Sequence, residues 1–348
     1  MDQPPLDNST DFVAHPQVLI DKDGERLVTI VKATFLRAAD GTIELAPPRW
    51  QRKLRFADVP WGKPEKSSIL YPADLCLRKP GTDVIVVAKA HAPGGRPVPS
   101  FDVAVRVGAL QKLCRVFGLR VWQAGGSGLS DPRPVAEVEM RYDNAWGGCD
   151  DSDPADVLEE ARNPVGTGLT RDLAGLTHQP APCIEDVAQP ILNARGRPPP
   201  AGIGAIGRHW EPRRRHVGTL DARWLEERAP MPPADQDDRM NLCATPELVA
   251  TPPLVGGEEV ALLNLQPGGG GTLFLLPRVG VEIEFRVKDR APEIVRPYLD
   301  TVLIDTLANP RGEDKALTLE YVWRASIKAP RRMKDARVVI RERALRGT

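Results

Sequence analysis

Hydrophobic and polar positions alternate with a period of two along much of the chain, the signature of strands with one buried face. FDVAVRVG (101–108) sets Phe101, Val103, Val105 and Val107 against Asp102, Ala104 and Arg106. VEIEFRVK (281–288) sets Val281, Ile283, Phe285 and Val287 against two glutamates, Arg286 and Lys288, and ALTLEYVWRASI (316–327) repeats the pattern from Leu317 to Ile327. With YLDTVLIDT between them, these last segments predict three consecutive strands in a meander, covered by a second sheet of N-terminal strands. That sheet would hold ERLVTIVKATFL (25–36), paired as a hairpin with ADGTIEL through a DG turn. It would continue through DVIVVAKAHA (83–92), FDVAVRVG, LCRVFGLRVW (113–122) and PVAEVEMRY (134–142).

Helix signals are few. Asp153 followed by Pro154 predicts a short helix ended by Pro164, and GTLDARWLEER (218–228) predicts another, capped by Thr219. Fifteen of the 35 prolines lie between 150 and 255, so regular elements there must be short. The fold class is therefore mainly β: antiparallel sheets packed as an elaborated β-sandwich, with proline-rich loops and a few short helices. One domain is expected over 12–328, made of N-terminal strands (12–145), a proline-rich insertion (150–255) and the C-terminal meander (258–328). Residues 329–348, with seven basic and two acidic side chains, read as a tail with a short helix.

Lysine plus arginine and aspartate plus glutamate each total 47, which argues against nucleic acid or an anionic membrane as partner, since both demand excess positive charge. Five cysteines without a C-x-x-C pair fit a reducing compartment, and no apolar run is long enough to span a bilayer. A cytoplasmic protein without membrane insertion is expected.

The chain offers little to covalent chemistry. His178, Cys183 and Cys149 lack zinc spacing, so neither metal nor cofactor is expected. PGGGGTLF (267–274) is followed by a strand and has no lysine, unlike a phosphate cradle. There is no G-x-S-x-G elbow, and Glu185 and Asp186, being adjacent, point apart. Asp235, Asp237, Asp238 and Asn241 read as a turn bonded to its own backbone. His91 reads as a hydrogen-bonded strand-end histidine. The nine-residue connection APGGRPVPS (92–100) exceeds a tight hairpin turn, which makes it a shaped crossing.

KPGTDVIVVAKAHAPGGRPVPSFDVAVRVG (79–108), followed by RVFGLRVW, resembles the hallmark segment of a large proteobacterial family of type VI secretion effector adaptors or chaperones, encoded beside spike and toxin genes. The resemblance continues through YDNAWGG, RNPVGTG, IEDVAQPI, GIGAIGRHWEPRRRHVGTLDARWLEERAP, PADQDDRMN and LNLQPGGGGTLFLLP, roughly residues 15–290. Ile203, Ala205 and Gln236 depart from its pattern. It implies a non-catalytic adaptor that binds an effector toxin protein and helps load it onto a valine-glycine-repeat spike or PAAR-type tip protein. Partner contact is expected at Trp61 and Trp146, which sit in loop-like contexts, and at His91 and Arg96. A β-sandwich hydrolase or a carbohydrate-binding module is the alternative; the former would need His91, Asp102 or the 235–241 cluster to converge in a cleft.

Overall fold

The computed structural model describes residues 3–38, 40–308 and 316–345. Strands dominate, with a single α-helix and several isolated 3-10 turns among the described residues. The largest sheet has seven strands. Its main path runs Val249–Ala250, Thr82–Val87, Leu299–Asp305, Thr318–Lys328, Gly24–Arg37, Val13–Asp21, and Ile43–Leu45 pairs with the end of Gly24–Arg37 as the sequence predicts. Thr82–Val87 and Leu299–Asp305 are parallel, so this sheet is mixed.

A five-stranded antiparallel sheet runs Ile184–Asp186, Leu110–Phe117, Ser100–Val107, Glu259–Leu263, Gly271–Leu275. A four-stranded sheet runs Leu6–Asn8, Ala336–Ala344, Val279–Val287, Glu293–Val295. One continuous apolar core joins the inner faces of all three: Val31 and Trp323 from the first, Val103, Val105 and Leu262 from the second, Ile283, Phe285 and Ile340 from the third.

Four expectations are corrected. Val279–Val287 lies in a different sheet from Leu299–Asp305 and Thr318–Lys328, so the C-terminal strands form no single meander. The expected helical tail over 329–348 is not one in its described part, to 345: Ala336–Ala344 is an internal strand, whose Val338 and Ile340 enter the core while Arg337 and Arg341 meet Asp7, Glu282 and Glu284 outside. Asp153 accepts from the Ala155 amide, but only a turn follows, because Val157 finds no core to enter and stays exposed. The helix Ala222–Glu227 is capped by Asp221, which accepts from the Trp224 amide at 2.8 Å; Thr219 is instead bound to Asp235.

The second face of the seven-stranded sheet carries buried charge under the segment 46–80. Glu320 is enclosed and receives Lys32 at 2.6 Å, Arg52 at 2.7 Å and Arg55 at 2.5 Å, while Asp74 and Asp305 complete the set. Burial pushes the Glu320 carboxyl up, yet Lys32, Arg55 and Arg52 together outweigh it and hold the group well below the ordinary carboxylate range.

Candidate functional site

The crossing 92–100 is held at both ends by backbone bonds rather than by a tight turn. Ala92 N donates to Ala136 O, Val98 and Val135 exchange a pair of bonds, and Gly118 N donates to Pro99 O. Gly94 and Gly95 take positive φ (64° and 68°), which lets the chain reverse where a side chain would be strained. On its other flank the crossing meets the turn 264–270: His91 N donates to Asn264 O at 2.8 Å. At Gly269 (φ 69°) a Cβ would stand 2.7 Å from Ala92 O, so only glycine permits this approach. Asn264 locks the turn, its Oδ1 accepting from Gly270 N and its Nδ2 donating to Asp102 O.

That turn delivers the chain into Gly271–Leu275, the edge strand of the five-stranded sheet. Asn264 N donates to Gly270 O and Leu276 N to Glu258 O, which makes 262/272 and 260/274 the hydrogen-bonded pairs of the antiparallel ladder. The amides and carbonyls of Gly271, Leu273 and Leu275 therefore point away from the sheet, where no described strand meets them. Leu273 and Leu275 are 63% and 62% exposed, while Thr272 and Phe274 are buried on the opposite face. Leu263 adds exposed apolar surface beside them, and the ion pairs Arg106–Glu259 and Arg115–Asp102 bound it on the same outer face.

Of the four residues expected at a partner surface, two lie in the crossing or on the strand that leads into it. Arg96 is exposed in the crossing, and no carbonyl or carboxylate partner of its guanidinium is described. His91 lies beneath the crossing, 7% exposed, its Nδ1 3.3 Å from Glu137 Oε1. Burial lowers its pKa and Lys89 adds to this, with Glu137 opposing, so the imidazole is neutral near pH 7. Trp61 lies elsewhere, half-buried against the core with the Arg141 guanidinium 5.6 Å from its ring.

Trp146 corrects its expectation. It is 1% exposed and packs edge-on to Trp122 at 6.4 Å in a small core with Ile191 and Ala194, out of a partner's reach. Sequence reasoning did not single out Leu273 and Leu275, because GTLFLLP is apolar on both faces and its alternation hides which one is wet.

The chain matches a bacterial family described as "Uncharacterized protein conserved in bacteria (DUF2169)" over residues 22–313. It belongs to that family. Comparison with curated proteins and with solved structures finds no match. Two departures from the expected pattern, Ile203 and Ala205, are both fully buried in this DUF2169 protein, where Ile203 O accepts from Val86 N and Ala205 bridges to Ile69.

The groups proposed for an enzymatic cleft each have their own partner: His91 with Glu137, Asp102 with Arg115, Asp235 with Thr219, Asp237 with Arg239 and Asp238 with Arg78. Glu185 and Asp186 turn to opposite partners, Arg120 and Lys112. Among the described residues no helix is long and apolar enough to cross a membrane.

Proposed function

We propose that this DUF2169 protein is a non-catalytic adaptor that captures an extended, apolar segment of an effector toxin by strand addition to Gly271–Leu275. In this reading it holds the toxin in the cytoplasm and hands it to a valine-glycine-repeat or PAAR-type spike component of a type VI secretion system. The observation that carries it is the edge itself, where outward main-chain donors and acceptors meet no strand among the described residues and coincide with two exposed leucines. Unprotected edges of this kind invite pairing, and a chain that leaves one uncharged has a use for it. Main-chain bonds would supply affinity, while Leu273, Leu275 and Leu263 select apolar side chains at alternate positions. The rigid crossing beside it, with Arg96 at its crest, would recognise a carboxylate next to the incoming strand.

The test is co-purification of the chain with the toxin encoded beside it, comparing wild type with Leu273→Arg, Leu275→Arg and Leu273→Pro. The arginine variants touch only exposed side chains and should leave the melting temperature nearly unchanged while weakening capture at least ten-fold. Proline removes an outward amide and should weaken it as well. Capture unchanged in all three variants would refute the edge as the docking site. Toxin abundance and delivery into rival cells unaffected by deleting the protein would refute the adaptor reading.

A further inference from the structure

A cavity of about 350 Å³ opens between the segment 56–79 and residues 208–243, away from the edge strand, and neither Leu273 nor Leu275 lines it. Phe56, Pro72, Ala73 and Leu75 give it an apolar wall, and Arg208, Arg213 and Lys79 line it with positive charge.

The charges that line it do not cancel. Lys79 is neutralised by Asp83 at 2.6 Å, and Arg324 beyond it by Asp300. The thiols of Cys76 and Cys243, which also line the cavity, are kept protonated by burial and offer no counter-charge. Arg213 is 6% exposed, yet its bonds go to carbonyls alone: Nε to Met240 O at 2.9 Å and Nη1 to Ile206 O at 2.7 Å. Among the described residues no carboxylate stands within ion-pair distance of Arg213, nor of the exposed Arg208 at the rim. Asp58, the one acid lining the cavity, accepts from the Ala73 amide at 2.7 Å and leaves one positive charge in excess.

A guanidinium withdrawn from water without a counter-ion is costly, and carbonyl dipoles offset that cost only in part. An arginine kept so, with Nη2 unused and a cavity in front of it, has the geometry to receive an anion. The single excess charge matches a monoanion better than a phosphate dianion, and the apolar wall calls for a hydrocarbon group behind it. The volume lies at the small end of ligand pockets.

We propose that this cavity binds a carboxylate carried on a short apolar stem, the carboxylate between Arg213 and Arg208 and the stem against Phe56 and Leu75. The same chemistry is presented by a free organic acid and by the C-terminal residue of a polypeptide.

Saturation-transfer NMR on the full chain tests it with N-acetyl-leucine, its uncharged analogue N-acetyl-leucinamide, sodium sulfate and a tetrapeptide ending in leucine. Saturable binding of the acid is expected, with at least ten-fold weaker binding of the amide and of sulfate, and at least ten-fold weakening of the acid in Arg208→Ala and Arg213→Gln. The tetrapeptide binding more tightly than N-acetyl-leucine identifies a chain terminus as the source, and the reverse order a free acid; either supports the site. Should Arg213→Gln fail to fold through loss of its carbonyl bonds, Arg208→Ala decides alone. The acid binding no better than the amide, sulfate binding better than the acid, or Arg208→Ala binding like wild type would overturn the proposal. Leu273→Arg should leave this binding untouched, so that failure here and failure of the edge reading are separable.

Discussion

Replacing Glu320 by glutamine tests whether the second face of the large sheet is held by charge balance. In the wild type three cations, Lys32, Arg52 and Arg55, face three anions, Glu320, Asp74 and Asp305. Glu320→Gln leaves one buried positive charge in excess. Breaking a buried pair in this way costs about 3–5 kcal/mol, and because the side chains of Arg52 and Arg55 keep 24% and 14% exposure to water, the low end, about 3 kcal/mol, is expected. At about 2 °C per kcal/mol for a chain of this length, the melting temperature should fall by about 6 °C. The assay is thermal and urea denaturation followed by circular dichroism, with Glu227→Gln as control, since it breaks the exposed Arg223–Glu227 pair and should change stability by less than about 0.5 kcal/mol. The double variant Lys32→Met, Glu320→Gln restores neutrality and should lose less stability than the sum of the two single variants. The sign with pH is also fixed: Glu320's folded pKa lies below its unfolded value near 4.3, so its contribution is complete above that pH and is lost as pH falls. The gap between wild type and Glu320→Gln should therefore narrow on acidification. Strict additivity in the double variant, or a shift no larger than the control's, would refute the reasoning.

Further outcomes follow from the same geometry. Gly269→Ala should cost about 2–3 kcal/mol, from a left-handed backbone and the approach to Ala92 O, whereas Gly268→Ala, with nothing within 4 Å of its Cβ, should cost only about 1 kcal/mol in urea titrations. Thiol labelling at pH 8 should modify the exposed Cys149 in the folded protein, while Cys114 and Cys243, pushed up to about 12 by burial, should react only after unfolding. His91 has a folded pKa below its unfolded value near 6.5, so the unfolded chain binds its proton first and stability should decline as pH falls below 6.5; His91→Asn should flatten that part of the stability profile.

The strands were legible wherever one face alone is apolar. FDVAVRVG and VEIEFRVK fold with the inward residues that their alternation predicts. Pairing was not legible, because which strand lies beside which is decided by contacts far apart in sequence, and the assumed meander is therefore divided between two sheets. Ala336–Ala344 was hidden by its arginines: in RVVIRER the short apolar run Val338–Ile340 is enclosed by charge, and the basic residues suggested a solvated end until Glu282, Glu284 and Asp7 appeared opposite them. Lys32 and Glu320 sit within otherwise apolar strand patterns, and nothing local shows that they meet. Trp146 read as a loop residue because its burial depends on Trp122, Ile191 and Ala194, none of them near in the chain. Of the site, the crossing 92–100 and the turn at 267–270 were foreseeable from their glycines and prolines, and the neighbouring open edge was not.

The four-stranded sheet sets a schedule for synthesis. Leu6–Asn8 pairs with Val338–Ile340, and the Ser9 hydroxyl bonds Ile340 across 331 positions of sequence. During translation Leu6–Asn8 emerges with no mate and must wait until the strand at 336–344 has been made, a closure that is slow and leaves sticky intermediates exposed. Expression fragments that omit 336–344 would leave Leu6–Asn8 without a mate and open one side of Val279–Val287, which keeps only Glu293–Val295, and heterologous production should favour slow, cool growth with both ends kept intact.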